Sequence, residues 1–152
     1  MESLRELSYR GRIKLIADFV GKCLDNYENS LVTELAKDVS SENLWRLIGA
    51  LKALNNLRHA VTGHLVSLTL ADLSEPQDVL LEKLGVETDE DAYEAALELL
   101  SLHANDISSY REILQTSTAH VGQLHEIQGY VRFMLAVKDR KTPHEVVSEV
   151  IS

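Results

Sequence analysis

Residues that interrupt helices are scarce in this sequence, with two prolines and seven glycines in 152 residues. Leu, Ala and Glu are abundant instead, and no useful stretch alternates apolar with polar side chains. Helices are therefore favoured over sheets, and an all-α helical bundle is expected. The single cysteine, Cys23, can form no internal disulfide. It falls on an apolar helical stripe, which makes it a buried packing residue rather than a reactive thiol. No run approaches the roughly 20 apolar residues of a membrane span, and Arg and Glu interrupt the N-terminus where a signal peptide would be apolar. A soluble, cytoplasmic protein is expected. Glycine-rich phosphate loops, zinc-type Cys/His spacings and hydrolase nucleophile elbows are all missing, so no cofactor and no metal is expected.

Positive charge is also in short supply. Fifteen Lys and Arg against 24 Asp and Glu leave a formal net charge of −9, which argues against non-specific nucleic-acid binding. The charge is uneven: residues 65–109 hold eleven acids and one lysine, whereas residues 1–22 hold five basic and three acidic residues. Arg10, Arg12, Lys14, Lys52 and Arg58 are candidates for one basic face, with the acidic side free for a partner.

What is present is helical periodicity over one domain, residues 1–152, with 45% hydrophobic content and a length sufficient for a core. Ile13, Ile16, Val20, Cys23 and Tyr27 recur at helical spacing and predict a first helix from about Ser3 to Tyr27. Asn26, Asn29 and Ser30 mark an interruption before a short helix carrying Leu31, Leu35 and Val39. Ser74, Pro76 and Gln77 predict a capped start for a helix that ends at Gly85. Thr88 with Asp89, Glu90 and Asp91 predicts the next start, where the acids complement the helix dipole. From Tyr93 through Leu100, Ile107, Leu114, Val121 and Gln128 to Leu135 the period is seven. This is either one long coiled-coil-like helix or a helical hairpin joined at Asn105-Asp106 or Thr116-Ser117-Thr118. The absence of Gly or Pro before Gly122 favours the unbroken helix. Its excess stripe would need a second subunit, hence a homodimer or larger even oligomer. Thr142-Pro143-His144-Glu145 predicts a capping box that opens a terminal helix with Val146, Val147, Val150 and Ile151.

The centre of the chain runs from Leu44 to Leu57 and continues into Arg58-His59-Ala60-Val61-Thr62-Gly63-His64. Leu44, Leu47, Ile48, Leu51, Leu54 and Leu57 form a buried stripe that Val61, Leu65 and Leu68 prolong. Ser40 or Ser41 supplies the N-cap, and Glu42 occupies the first turn. Gly63 weakens the helix by about 1 kcal/mol relative to Ala and invites a kink or break. On an unbroken helix Arg58 and His64 would lie about 9 Å apart along the axis and roughly 120° around it. Acting on one phosphate would then need a bend at Gly63 or a second copy. The histidine pairs His59/His64 and His120/His125, each five residues apart, put their rings about 140° apart and make poor chelates.

The segment Leu54–His64 resembles the signature of HEPN domains. In these an arginine and a polar residue follow an amphipathic helix, with a histidine after four to six intervening residues. Here five intervene, His59 takes the polar place, and glycine precedes the histidine rather than following it. The resemblance covers about twenty residues and the all-helical character. It implies a metal-independent ribonuclease, often a toxin, working as a homodimer with an antitoxin such as a nucleotidyltransferase. His64 would transfer protons during 2′-OH attack in single-stranded RNA. Arg58 would stabilise charge on the phosphate, and His59 would assist. The rival reading is a non-catalytic helical oligomerisation or adaptor module that binds a protein partner, with Arg58 and His64 as ordinary structural side chains.

Overall fold

The computed structural model describes residues 7–106 and 121–152. Among them every long element is a helix: α1 (Tyr9–Leu35), α2 (Ser41–Leu70), α3 (Gln77–Leu84), α4 (Asp89–Ala104), α5 (Val121–Lys138) and α6 (Pro143–Ile151). A single 3-10 turn, Ala71–Leu73, follows α2. No helix among the described residues is long and apolar enough to cross a membrane.

The starts of these helices follow side-chain capping. Ser8 Oγ accepts from the Gly11 amide at 3.1 Å and opens α1. Ser40 Oγ accepts from the Asn43 amide at 3.2 Å and opens α2, with Glu42 in its first turn as expected. Thr88 and Asp91 form a full capping box on α4, and Thr142 and Glu145 form another on α6 behind Pro143. The cap expected at Ser74 is absent. Ser74 instead donates its hydroxyl to the Ala71 carbonyl at 3.0 Å, and Pro76 precedes α3 without a side-chain cap. Gly85 closes α3 in the left-handed conformation, φ 66°, which glycine adopts without a Cβ penalty.

Two expected interruptions do not occur. Asn26, Asn29 and Ser30 lie inside α1, because Leu24, Tyr27 and Leu31 keep one buried stripe running past them. Asn and Ser weaken a helix interior by only a few tenths of a kcal/mol each, less than the burial of a single leucine supplies. Likewise α2 runs through Gly63, which sits on the exposed side while Leu57, Val61 and Leu65 stay buried.

The seven-residue stripe is not one helix. α4 ends at Ala104, capped by Asn105, and packs against α5 rather than continuing into it. Asn105 and Asp106 provide the stop that Gly or Pro would have signalled. Ile107 and Leu114 lie outside the described residues. The buried positions of α4 are Ala92, Ala96, Leu100 and Ala104, while Tyr93 and Leu135 are each 45% exposed. Among the described residues the stripe therefore does not lie along one helix.

The tightest packing joins α2 to α5 at a pair of glycines. A Cβ on Gly49 would stand 1.9 Å from the Glu126 carbonyl oxygen, and one on Gly129 would stand 1.9 Å from that of Arg46. The two backbones touch there. Alongside, Arg46 Nε donates to Gln128 at 3.1 Å, Asn56 donates to the Tyr130 hydroxyl at 2.9 Å, and Lys52 pairs with Glu126. α1 lies against α2, α4 and α6, with Tyr27 edge-on to Phe133 of α5. α3 is the least attached helix and contributes Leu80 to the core. Arg12 is buried at 5% exposure beneath the α3–α4 connection, where it donates to the Val86 carbonyl while its Nε finds no partner.

Candidate functional site

α2 carries the three residues singled out by sequence and turns them in different directions. Arg58 faces α1, where its Nη2 lies 3.3 Å from both Asp25 Oδ1 and Glu28 Oε2. All three side chains are at least 36% exposed, so each pair contributes about 0–1 kcal/mol and holds Arg58 loosely. His59, one residue on, is exposed to solvent. His64 faces α4, where its Nδ1 lies 2.8 Å from His103 Nε2 and the two rings meet edge to face at 5.0 Å. With α2 unbroken, Arg58 and His64 keep the helical separation and do not meet within one chain.

The His64–His103 contact needs one nitrogen to donate and the other to accept, so a single proton serves both. Burial pushes the His103 pKa below the usual 6.5; charge on His64 pushes the same way, and Asp106 opposes them. The sequence offers no local sign of this pair, because 39 residues separate its members. The glycine crossing left no sign of its own either, because Gly49 and Gly63 are equally isolated inside one helical pattern and only Gly49 meets another backbone.

The basic face expected of Arg10, Arg12, Lys14, Lys52 and Arg58 is divided. Arg12 is buried and Lys52 reaches towards α5. Arg10, Lys14 and Arg58 border a groove of about 530 Å³ between α1 and α2, with Ala17, Gly21, Leu65 and Val66 among its walls. Val66 and Leu70 are more than half exposed there. Two of the three cations are already matched, Arg10 to Asp72 at 2.9 Å and Arg58 to its two acids.

Among the described residues no three His, Cys, Asp or Glu side chains group closely enough to hold a metal ion. His120 lies outside those residues, and His125 Nδ1 is 3.3 Å from Gln128 Oε1. The Cys23 thiol is half-buried, and burial raises its pKa, which keeps it protonated and a poor nucleophile. Compared with protein-family models, curated proteins and solved structures, the chain matches none.

Proposed function

We propose that this chain is a non-catalytic helical module that binds a protein partner, with Arg58 and His64 serving the fold. The observation that carries this reading is the division of the motif. Arg58 is engaged by α1 acids, His64 is engaged by a histidine of α4, and α2 runs unbroken between them. A phosphate held by Arg58 would be out of reach of His64 in the same chain. The α1–α2 groove, with Val66 and Leu70 exposed along it, supplies an apolar surface of the kind a partner helix covers.

The second reading is a HEPN-like ribonuclease in which a second copy completes the site. One observation favours it: His64 and His103 form an imidazole pair that shares a proton, the raw material of general acid–base chemistry. In that reading Arg58 would act on a phosphate presented across a dimer interface, exchanging its weak hold on Asp25 and Glu28.

One experiment separates the two. The chain is incubated with single-stranded RNA and with DNA of the same sequence, in EDTA. The module reading expects both to stay intact. Metal-free cleavage of the RNA alone, lost about 10²–10⁴-fold in His64→Ala and in Arg58→Ala at unchanged helix content, would overturn it in favour of the nuclease.

A further inference from the structure

His64 and His103 bring two imidazole nitrogens to 2.8 Å across the α2–α4 contact. Both rings are half-buried and within reach of water. Each is anchored by buried neighbours on its own helix, Val61 and Leu65 around His64, Leu100 and Ala104 around His103. Two fixed helices therefore set the separation of the rings. The histidine pairs legible in the sequence lie five apart on one helix and chelate poorly, whereas this pair faces across two helices.

Facing imidazole nitrogens make a hydrogen bond when one of them carries a hydrogen, and a ligand pair when neither does. Neutral imidazole is a common metal ligand and suits divalent zinc, nickel and copper. With metal–nitrogen distances of about 2.0–2.1 Å, two such nitrogens stand about 2.9 Å apart on an ion at a right angle and about 3.3 Å apart on a tetrahedral one. The observed 2.8 Å already lies close to that span. Each ring has to tilt until both lone pairs meet at one point beside the line joining the nitrogens. The ring that donates in the hydrogen bond takes its other tautomer, with its hydrogen on the outward nitrogen. Two neutral rings then hold the ion with no net loss of a proton. Asp106, three residues beyond His103, is near enough for its charge to favour a cation there.

We propose that His64 Nδ1 and His103 Nε2 form a two-histidine site for a divalent transition-metal ion, with water in its remaining positions. Among the described residues no third His, Cys, Asp or Glu joins them, so the site is open and the ion exchangeable. The bound ion ties α2 to α4. It requires neither an RNA substrate nor a protein partner and is independent of both functional readings.

The test is a calorimetric titration of the full chain with Ni²⁺ at about pH 7.5, where unperturbed imidazole is neutral. Mg²⁺ serves as a hard ion of equal charge, because a chain of net charge −9 also attracts cations through its surface acids. Ni²⁺ is expected to bind one per chain with a Kd below about 100 µM, Mn²⁺ more weakly, and Mg²⁺ without saturation. Ni²⁺ should also raise the melting temperature, since unfolding separates the two helices that it bridges. His64→Gln and His103→Gln should each weaken Ni²⁺ at least about tenfold, and either variant decides the matter if its melting transition shows an intact fold. His144→Ala, on α6, should change nothing. An equal response to Mg²⁺, or unchanged Ni²⁺ affinity in a folded His64→Gln or His103→Gln variant, would overturn the proposal and assign the ion to surface carboxylates or other histidines. So would the absence of both saturable heat and a melting shift up to about 1 mM Ni²⁺, which leaves the pair as a hydrogen bond alone.

Discussion

Single glycines divide here into two kinds, and the difference is what a methyl group would touch. At Gly49 and Gly129 an added Cβ meets a backbone carbonyl of the crossing helix, which no rotamer change can relieve. At Gly63 it meets nothing within 4 Å. Gly49→Ala should therefore lose at least about 3 kcal/mol, since α2 and α5 must move apart and loosen the core between them. Gly63→Ala should gain about 1 kcal/mol from helix propensity alone. Urea unfolding of the two variants checks both signs. A Gly49→Ala variant as stable as the parent would mean that the helices do not touch. Helical periodicity displays both glycines equally as defects, and only the identity of the facing helix sorts them.

At the scale of elements, the α2–α4 contact is built on an imidazole pair and should respond to pH. The His103 pKa is lowered in the folded chain by burial and by His64, so the unfolded chain binds the proton more readily. Stability is then fully present above the ordinary pKa of 6.5 and is lost as pH falls through the depressed folded value. Melting temperatures followed from pH 8 to pH 5 should fall with a component that disappears in His103→Gln. An identical profile in that variant would show that the pair carries no linkage. Helix beginnings at this scale were legible where a cap is chemically self-contained. Ser40, Thr88 and Thr142 act locally, and each opens the helix expected of it. Helix ends and continuations were less legible, because α1 passes Asn26 to Ser30 on the strength of its partners' surfaces. The join at Asn105-Asp106 was visible, yet the sequence pattern favoured running through it.

In the whole molecule, attachment is unequal. α2 and α5 share the glycine crossing and the most extensive contact between two helices among the described residues, while α3 rests mainly on α1 and the 3-10 turn. Hydrogen exchange should therefore open in stages, with α3 amides exchanging first and those of α2 and α5 near Gly49 and Gly129 last. Mass spectrometry after timed deuteration reads this order directly. Uniform exchange across all helices would mean that the molecule opens as one unit. The charge distribution belongs to this scale as well. A net charge of −9 is a property of the sum, yet the cations bordering the α1–α2 groove are largely matched by acids of α1 and of the 3-10 turn. The basic face expected from sequence is divided by a burial that charge counting does not register.

The amino-acid sequence determined the helical class, the capped starts of α2, α4 and α6, the stop at Gly85 and most of the α2 stripe, because each follows from propensity or from contacts within one turn. It also brought out Arg58, His59 and His64 as the residues to locate. What only the tertiary structure decided is which way those residues face and what meets them. Asp25 and Glu28 reach Arg58 from another helix, and His103 reaches His64 across 39 residues. Gly49 finds Gly129 in the same manner, and Arg12 finds the Val86 carbonyl across 74 residues. Periodicity fixes a face of a helix relative to its own axis; the neighbour that occupies that face is set by long-range packing.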